Sequence, residues 1–314
     1  MEAHQVKMIE LENVSKFYGP LKAIDSLNLR IQEADIFGFI GPNGAGKTTT
    51  IRMLATLLSP TSGKIRIAGI DPEQEPREVR KIIGYMPDFF GVYPDLVVWE
   101  YLDFFGAAYE IPVSRRSGLI DDVLELTDLT QKKYKLVEAL SRGMKQRLCL
   151  AKTLLHDPAI LLLDEPASGL DPRARIEIRE LLKELKKMKK TILISSHILA
   201  ELSDFCSSIG IIEKGRLIIA GSLAEIESKI NSAKVYRLTA LQPLHPIESF
   251  LRARGIDQMQ QLDGSLEFAC SKSHEEIAEL LSALVAEKFQ ITSFGPITAN
   301  LEDLFMKITT GEVS

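Results

Sequence analysis

An apolar run at residues 36–40 leads straight into Gly41-Pro42-Asn43-Gly44-Ala45-Gly46-Lys47-Thr48, and helix-forming residues continue from 47 to 57. The loop fits G-x-x-x-x-G-K-S/T, and it has the flanks that give this pattern chemical meaning: a strand before it and a helix opening at its lysine. Glycines let backbone N–H groups come close to phosphate oxygens, and the helix start adds positive potential. In such a unit Lys47 reaches the β- and γ-phosphates, the Thr48 hydroxyl is placed to ligate Mg²⁺, and Thr49 follows in the first turn. The chain is therefore expected to fold around a strand–loop–helix unit that holds a nucleotide.

The rest of the chain alternates in kind. Residues 8–14 and 22–31 read as strands before the loop, and 64–67 and 82–86 as strands after it. From 88 to 140 the strand signal stops, and helical patterns at 97–109 and 118–126, separated by Ile111-Pro112, read as a helical subdomain of about 88–144 inserted in an α/β core. The alternation resumes with a helix at 145–156, an apolar strand at 160–163, an amphipathic helix at 172–188 and a strand at 191–194. This order implies a largely parallel sheet with helices on both faces. Past residue 220 a smaller pattern follows: strand 236–239, helix 246–253, strand 266–269, helix 275–288, strand 291–294 and a last helix at 301–308. The expected division is an α/β nucleotide-binding domain over 1–228 and a small α+β accessory domain over 229–314, which 314 residues at 45% hydrophobic content are enough to fill.

A phosphate loop says nucleotide but not which machine. The strand Ile160-Leu161-Leu162-Leu163 ends in Asp164-Glu165, which puts one carboxylate where a metal is wanted and a second where an attacking water is activated. Upstream lies Leu140-Ser141-Arg142-Gly143-Met144-Lys145-Gln146-Arg147, and downstream lie Ser168-Gly169-Leu170-Asp171-Pro172 and Ser195-Ser196-His197.

These segments together resemble the ATP-binding subunits of the ABC transporter family, whose signature stretch, D-loop and switch histidine they match in order. The resemblance covers residues 8 to about 221. It implies a P-loop NTPase fold of the ABC ATPase type that binds ATP and Mg²⁺, with Thr48, Asp164 and the residue at 88 around the metal. Glu165, Lys47 and His197 would carry hydrolysis, His197 by sensing the γ-phosphate. Tyr18 falls where the family stacks an aromatic on adenine, with its neighbour Phe17 as the alternative ring. Ser141 and Gly143 open a helix whose start binds anion, and in this family that helix lies across the domain from the phosphate loop and meets another subunit's ATP; Asp171 of the D-loop is a further expected binding residue. Two chains would thus pack head to tail over two ATP molecules, as a homodimer or as a heterodimer with a paralogue, on a separate transmembrane permease.

Two positions depart from the family pattern. Where glutamine is usual after the strand ending at Met86, this chain has Pro87 and then Asp88, a carboxylate that can still meet the metal but whose charge opposes the γ-phosphate. Asp88 is read as a working substitute. The signature has Ser-Arg-Gly-Met in place of Ser-Gly-Gly-Gln, so Arg142 is either a cation that aids the partner's phosphate or an ordinary surface arginine.

Asp88, the run Phe89-Phe90-Gly91-Val92-Tyr93 and the tail Asn300-Leu301-Glu302-Asp303-Leu304-Phe305 resemble the bacterial exporter branch. Its motor subunits serve separate multispanning permeases, and aromatics of the helical segment would line the groove that receives a permease helix. A net charge of -5, and a lysine run at 183–190 that ends a helix with glutamates interleaved upstream, speak against nucleic-acid binding. Cys149, Cys206 and Cys270 have no paired spacing, and no apolar run is long enough to cross a bilayer. The expectation is a cytoplasmic protein, peripheral on the inner face of the cell membrane through its permease. The alternative is a nucleotide-gated regulator or scaffold that barely hydrolyses ATP, which Asp88 motivates.

Overall fold

The computed structural model describes residues 7–89, 91–230, 234–262, 264–270 and 272–297. They fall into two compact units, one running to Leu223 and the other beginning at Ala224.

The first unit opens with a hairpin of long strands, β1 (Lys7–Tyr18) and β2 (Leu21–Gln32), followed by β3 (Ile36–Ile40), α1 (Lys47–Leu54) and β4 (Ser62–Ile67). β4 returns to pair with β1, so β2, β1 and β4 make an antiparallel sheet of their own. Then come α2 (Pro76–Ile82), β5 (Ile83–Met86), α3 (Val98–Ala108), α4 (Val113–Leu126) and α5 (Arg142–Leu154). The unit continues through β6 (Ile160–Leu163), α6 (Pro172–Lys187), β7 (Thr191–Ser196), α7 (Ala200–Ser203), β8 (Ser208–Glu213) and β9 (Arg216–Ser222). Its main sheet has the order β5-β6-β7-β3-β8-β9, parallel throughout except for β9, which runs antiparallel to β8.

The structure adds to the expected layering. Ile9, Leu11 and Val14 of β1 and Leu27, Leu29 and Ile31 of β2 share one core with Ile51 and Leu54 of α1, Phe39 of β3 and Leu162 of β6. The antiparallel sheet therefore packs into the core of the parallel one, burying the apolar half of each alternating strand. α1 ends at Leu54, short of the expected 57. Thr56 turns left-handed at φ 59, and the Leu57 N–H closes back on the Arg52 carbonyl at 2.9 Å, a helix stop made without glycine. No sequence expectation covers segments 76–81, 200–203, 208–213, 216–222 and 259–262, and Ile82, expected to open the strand that ends at 86, instead closes α2.

In the helical insert α3, α4 and α5 pack on one another. Val98 and Tyr101 are buried, but Phe89, Tyr93, Trp99 and Phe104 are exposed, Phe89 to 89%. Several rings of the segment thus remain at the surface, where the sequence expects some of them to line a groove. In the lysine-rich end of α6, Lys183 and Lys187 pair with Glu180 and Glu184 one turn back.

The second unit follows α8 (Leu223–Ile230), which opens at the boundary, with β10 (Lys234–Ala240), α9 (His245–Arg252), β11 (Met259–Leu262), β12 (Ser265–Cys270), α10 (His274–Ala286) and β13 (Ile291–Ile297). Its sheet order is β11-β12-β10-β13, antiparallel throughout, so β10 to β13 with α9 and α10 form a split β-α-β-β-α-β unit. Tyr236, Leu238, Leu266 and Phe268 on one sheet face pack with Ile247 and Leu251 of α9 and Leu280 and Leu284 of α10. The expected helix at 301–308, the run from Asn300 to Phe305, and Phe90 lie outside the described residues.

What positions a site is the register of the parallel strands. Ile40 lies beside Ser196, Leu163 beside Ile194 and Met86 beside Leu163, so β3, β5, β6 and β7 end together. The loops after them all emerge at one edge, the edge where open α/β sheets bind ligands.

Candidate active site

The glycine loop leaves β3 and enters α1 through two left-handed residues, Gly44 at φ 80 and Gly46 at φ 108. Gly46 is the N-cap of α1 and supplies no side chain to its first turn, which leaves those N–H groups to a ligand. A Cβ on Gly46 would lie 2.5 Å from Ile24 Cδ1 and 2.7 Å from the Ala23 carbonyl. Gly46→Ala is thus expected to add about 1–3 kcal/mol of backbone strain and a similar overpacking cost. Thermal unfolding of the variant should show a lowered midpoint, and an unchanged midpoint would contradict the tight seat described.

Lys47 starts α1 and is only 6% exposed. Its ammonium donates to the carbonyls of Gly41 at 2.7 Å and Pro42 at 3.2 Å, and stands 3.4 Å from Glu165 Oε1. The loop's own carbonyls hold the cation over the loop, and the charge that meets it comes from the end of β6. Burying a charge in this way requires such partners.

Asp164 is 1% exposed at the end of β6. Its Oδ1 accepts from Ser195 Oγ at 2.7 Å, while its Oδ2 is buried with no partner among the described residues. The Glu165 N–H donates to the same Ser195 Oγ at 2.9 Å. Glu165 is held left-handed at φ 50, a strained setting for a side chain and one that clusters at functional sites. Its Oε2 lies 2.8 Å from His197 Nδ1, just past the end of β7. A continuous line therefore runs from Lys47 through Glu165 to His197, with Ser195 fixing both acidic residues from behind. In sequence Ser195 is only a near neighbour of His197; its bond to Asp164 needs the β6–β7 register to be seen.

Asp88 follows β5 and faces Asp164, Glu165, Arg142 and His197. Burial and the carboxylates of Asp164 and Glu165 push its carboxyl up, while Arg142 and His197 pull it down. Asp88, Glu165, Ser168 and His197 line one cavity of ≈ 680 Å³ together with residues 43–49, Tyr18, Leu21, Lys22, Ala23 and Lys214. Tyr18, 46% exposed, is the ring on this cavity, and Phe17 is absent from its lining. Lys22 and Lys214 line it without belonging to any motif of the sequence, and Ser168 lines it as the first residue of the D-loop.

Other expected binding residues stand apart. Gly41 and Pro42 act through their carbonyls on Lys47. Ser141 is the N-cap of α5, its hydroxyl accepting from the Met144 N–H at 3.3 Å, and neither it nor Gly143 lines the cavity. Asp171 likewise caps α6, accepting from the Ala174 N–H at 3.0 Å.

Comparison with known proteins agrees with this geometry. Residues 24–168 match the family described as ABC transporter, and residues 221–309 match the C-terminal domain of ATP-binding proteins of the DrrA1-3 kind. The chain is 36% identical over 309 residues to the Nod factor export ATP-binding protein I of Cupriavidus metallidurans, covering 98% of each chain. It is 30% identical over 306 residues to the linearmycin resistance ATP-binding protein LnrL of Bacillus subtilis, covering 96% of this chain and 98% of that one. It is 43% identical over 212 residues to the bacitracin transport ATP-binding protein BcrA of Bacillus licheniformis, covering 67% and 68%. Among solved structures, a dimeric bacterial ABC transporter cassette superimposes with a TM-score of 0.63 at 27% identity, covering 69% of this chain and 99% of that one. With cavity, carboxylates and relatives in agreement, the chain belongs to the ATP-binding proteins of ABC transporters, an ABC ATPase with a DrrA-like C-terminal domain.

Proposed function

We propose that this chain is the ATP-hydrolysing motor of an exporter, working as a head-to-tail dimer on a separate membrane permease. The observation that carries the reading is the line Lys47–Glu165–His197 at the cavity wall, combined with an anion-binding helix start at Ser141 and Gly143 that lies outside that cavity. Within one chain the site is incomplete on that side, so a second chain is the natural source of the missing contact. ATP would lay its phosphates on residues 43–49 and its adenine on Tyr18, with Glu165 accepting the proton of the attacking water and His197 donating to the γ-phosphate. Asp171 would cap α6 and, through the turn it anchors, set the D-loop against the partner.

The residues present fit Mg²⁺. Asp164 Oδ2 is a buried carboxylate oxygen without a partner among the described residues, Thr48 brings a hydroxyl to the cavity from the first turn of α1, and Asp88 adds a second carboxylate. One or two carboxylates plus phosphates is the donor set magnesium accepts. When bound it would neutralise charge developing on the phosphates. Thr48, Asp164 and Asp88 would hold it.

Export is supported by the name of the Nod factor export relative, and the exposed rings Phe89, Tyr93, Trp99 and Phe104 would offer a permease helix apolar surface to dock on. No helix among the described residues is long and apolar enough to cross a membrane, so the pore would belong to another chain and place this one peripherally on the cytoplasmic face. Size exclusion with light scattering is the test. Saturating ATP with Mg²⁺ should double the mass of a hydrolysis-blocked chain, and ADP should not; a constant mass would remove the dimer.

A further inference from the structure

The two departures from the family pattern, Asp88 and Arg142, are linked through one cavity: Asp88 lines it, and Arg142 is bonded to Ser168, which also lines it. Arg142 is the first residue of α5, where a cation is opposed by the helix dipole, so its placement is not explained by the helix it starts. Its guanidinium reaches instead to the D-loop of its own chain: Nη2 donates to the Ser168 carbonyl at 3.2 Å. It lies so close over Gly169 that a Cβ there would stand 2.3 Å from Nη2. Gly169 is left-handed at φ 65, and the absence of a side chain makes room for the arginine. Ser168, the acceptor, lines the same cavity as Asp88.

We propose that Arg142 is a positioning residue matched to Asp88: anchored on the Ser168–Gly169 turn, its charge offsets the carboxylate that stands where a neutral glutamine is usual. The inference rests on the ATP site proposed above and adds a role for the arginine within its own chain. The groups facing Asp88 are the carboxylates of Asp164 and Glu165, the guanidinium of Arg142 and the imidazole of His197. Three acids at the place of the γ-phosphate would repel a triphosphate, and Arg142 is the cation the signature adds relative to the usual pattern. The two unusual residues form one substitution in electrostatic terms.

The test is a double-mutant cycle read by ATP affinity in EDTA, with a fluorescent ATP analogue, and by turnover in Mg²⁺. Arg142→Gln keeps a donor for the Ser168 carbonyl but removes the charge, and Arg142→Lys keeps the charge. Arg142→Gln should weaken ATP binding about fivefold beside Asp88 and less than about twofold beside Asp88→Gln, with Arg142→Lys close to the unaltered chain. A merely structural arginine would give the same loss in both backgrounds. Additive effects, or an Arg142→Gln chain that binds like the unaltered one, overturn the pairing. Should the unaltered chain itself bind no ATP, the nucleotide reading fails, an outcome distinct from additivity in a chain that binds.

Discussion

Glu165→Gln will keep its ATP and lose about 10²–10⁴-fold of its turnover, the range expected when a positioned proton acceptor is removed. The substitution is nearly isosteric, so the 2.8 Å contact with His197 and the backbone bond to Ser195 can persist. What disappears is the carboxylate charge 3.4 Å from Lys47 and the lone pair that would take a proton from water. Losing that charge frees Lys47 for the phosphates, so affinity for ATP should hold or improve while phosphate release falls by that factor. Steady-state phosphate release and equilibrium nucleotide binding on the same preparation check both halves. Turnover within about tenfold of the unaltered chain would assign the proton transfer elsewhere.

Lys47→Ala will lose nucleotide affinity rather than turnover alone. A buried ammonium bonded to two phosphate oxygens contributes about 1.5–3 kcal/mol for each charged hydrogen bond, so the loss should reach about 100-fold or more. The lysine is already pinned by the Gly41 and Pro42 carbonyls, which means it is pre-positioned and little side-chain entropy is lost when ATP arrives. Calorimetric titration with ATP in EDTA reads the effect directly. Glu165 would also be left without its cation, so a thermal scan of the nucleotide-free variant is needed to separate lost binding from lost stability. A variant with unchanged midpoint and affinity within about threefold of the original would show that the loop's backbone, not this ammonium, binds the phosphates.

The strongest local signals were legible because they are chemical and contiguous. The glycine loop, the apolar run ending in Asp164-Glu165 and the Ser195-Ser196-His197 segment each sit at the end of a strand whose apolar content announces it. Most strands and the longer helices were visible by period. The antiparallel β2-β1-β4 sheet was visible as strands but not as a layer, because alternation marks a half-buried strand without saying what covers it. β8 and β9 are weakly marked in the sequence: Gly210 interrupts the apolar run of β8, and the apolar run of β9 at 217–220 stops at Gly221. Asp171 and Ser141 were read for what they would touch, and within one chain both side chains are occupied in capping the helices they start.

Taken alone, the order of residues establishes which chemistry is available to this protein: a phosphate loop, two carboxylates, a histidine and an aromatic, each on an identifiable element, together with a small second unit past residue 220. That these groups meet is a property of the folded chain. Folding inserts β3 between β7 and β8, brings Lys47 to Glu165, ties Asp164 and Glu165 to Ser195, and lays Arg142 on the Ser168 carbonyl. Strand order and register are fixed by which apolar faces bury one another across more than a hundred residues of chain, and local propensity carries no record of those partners.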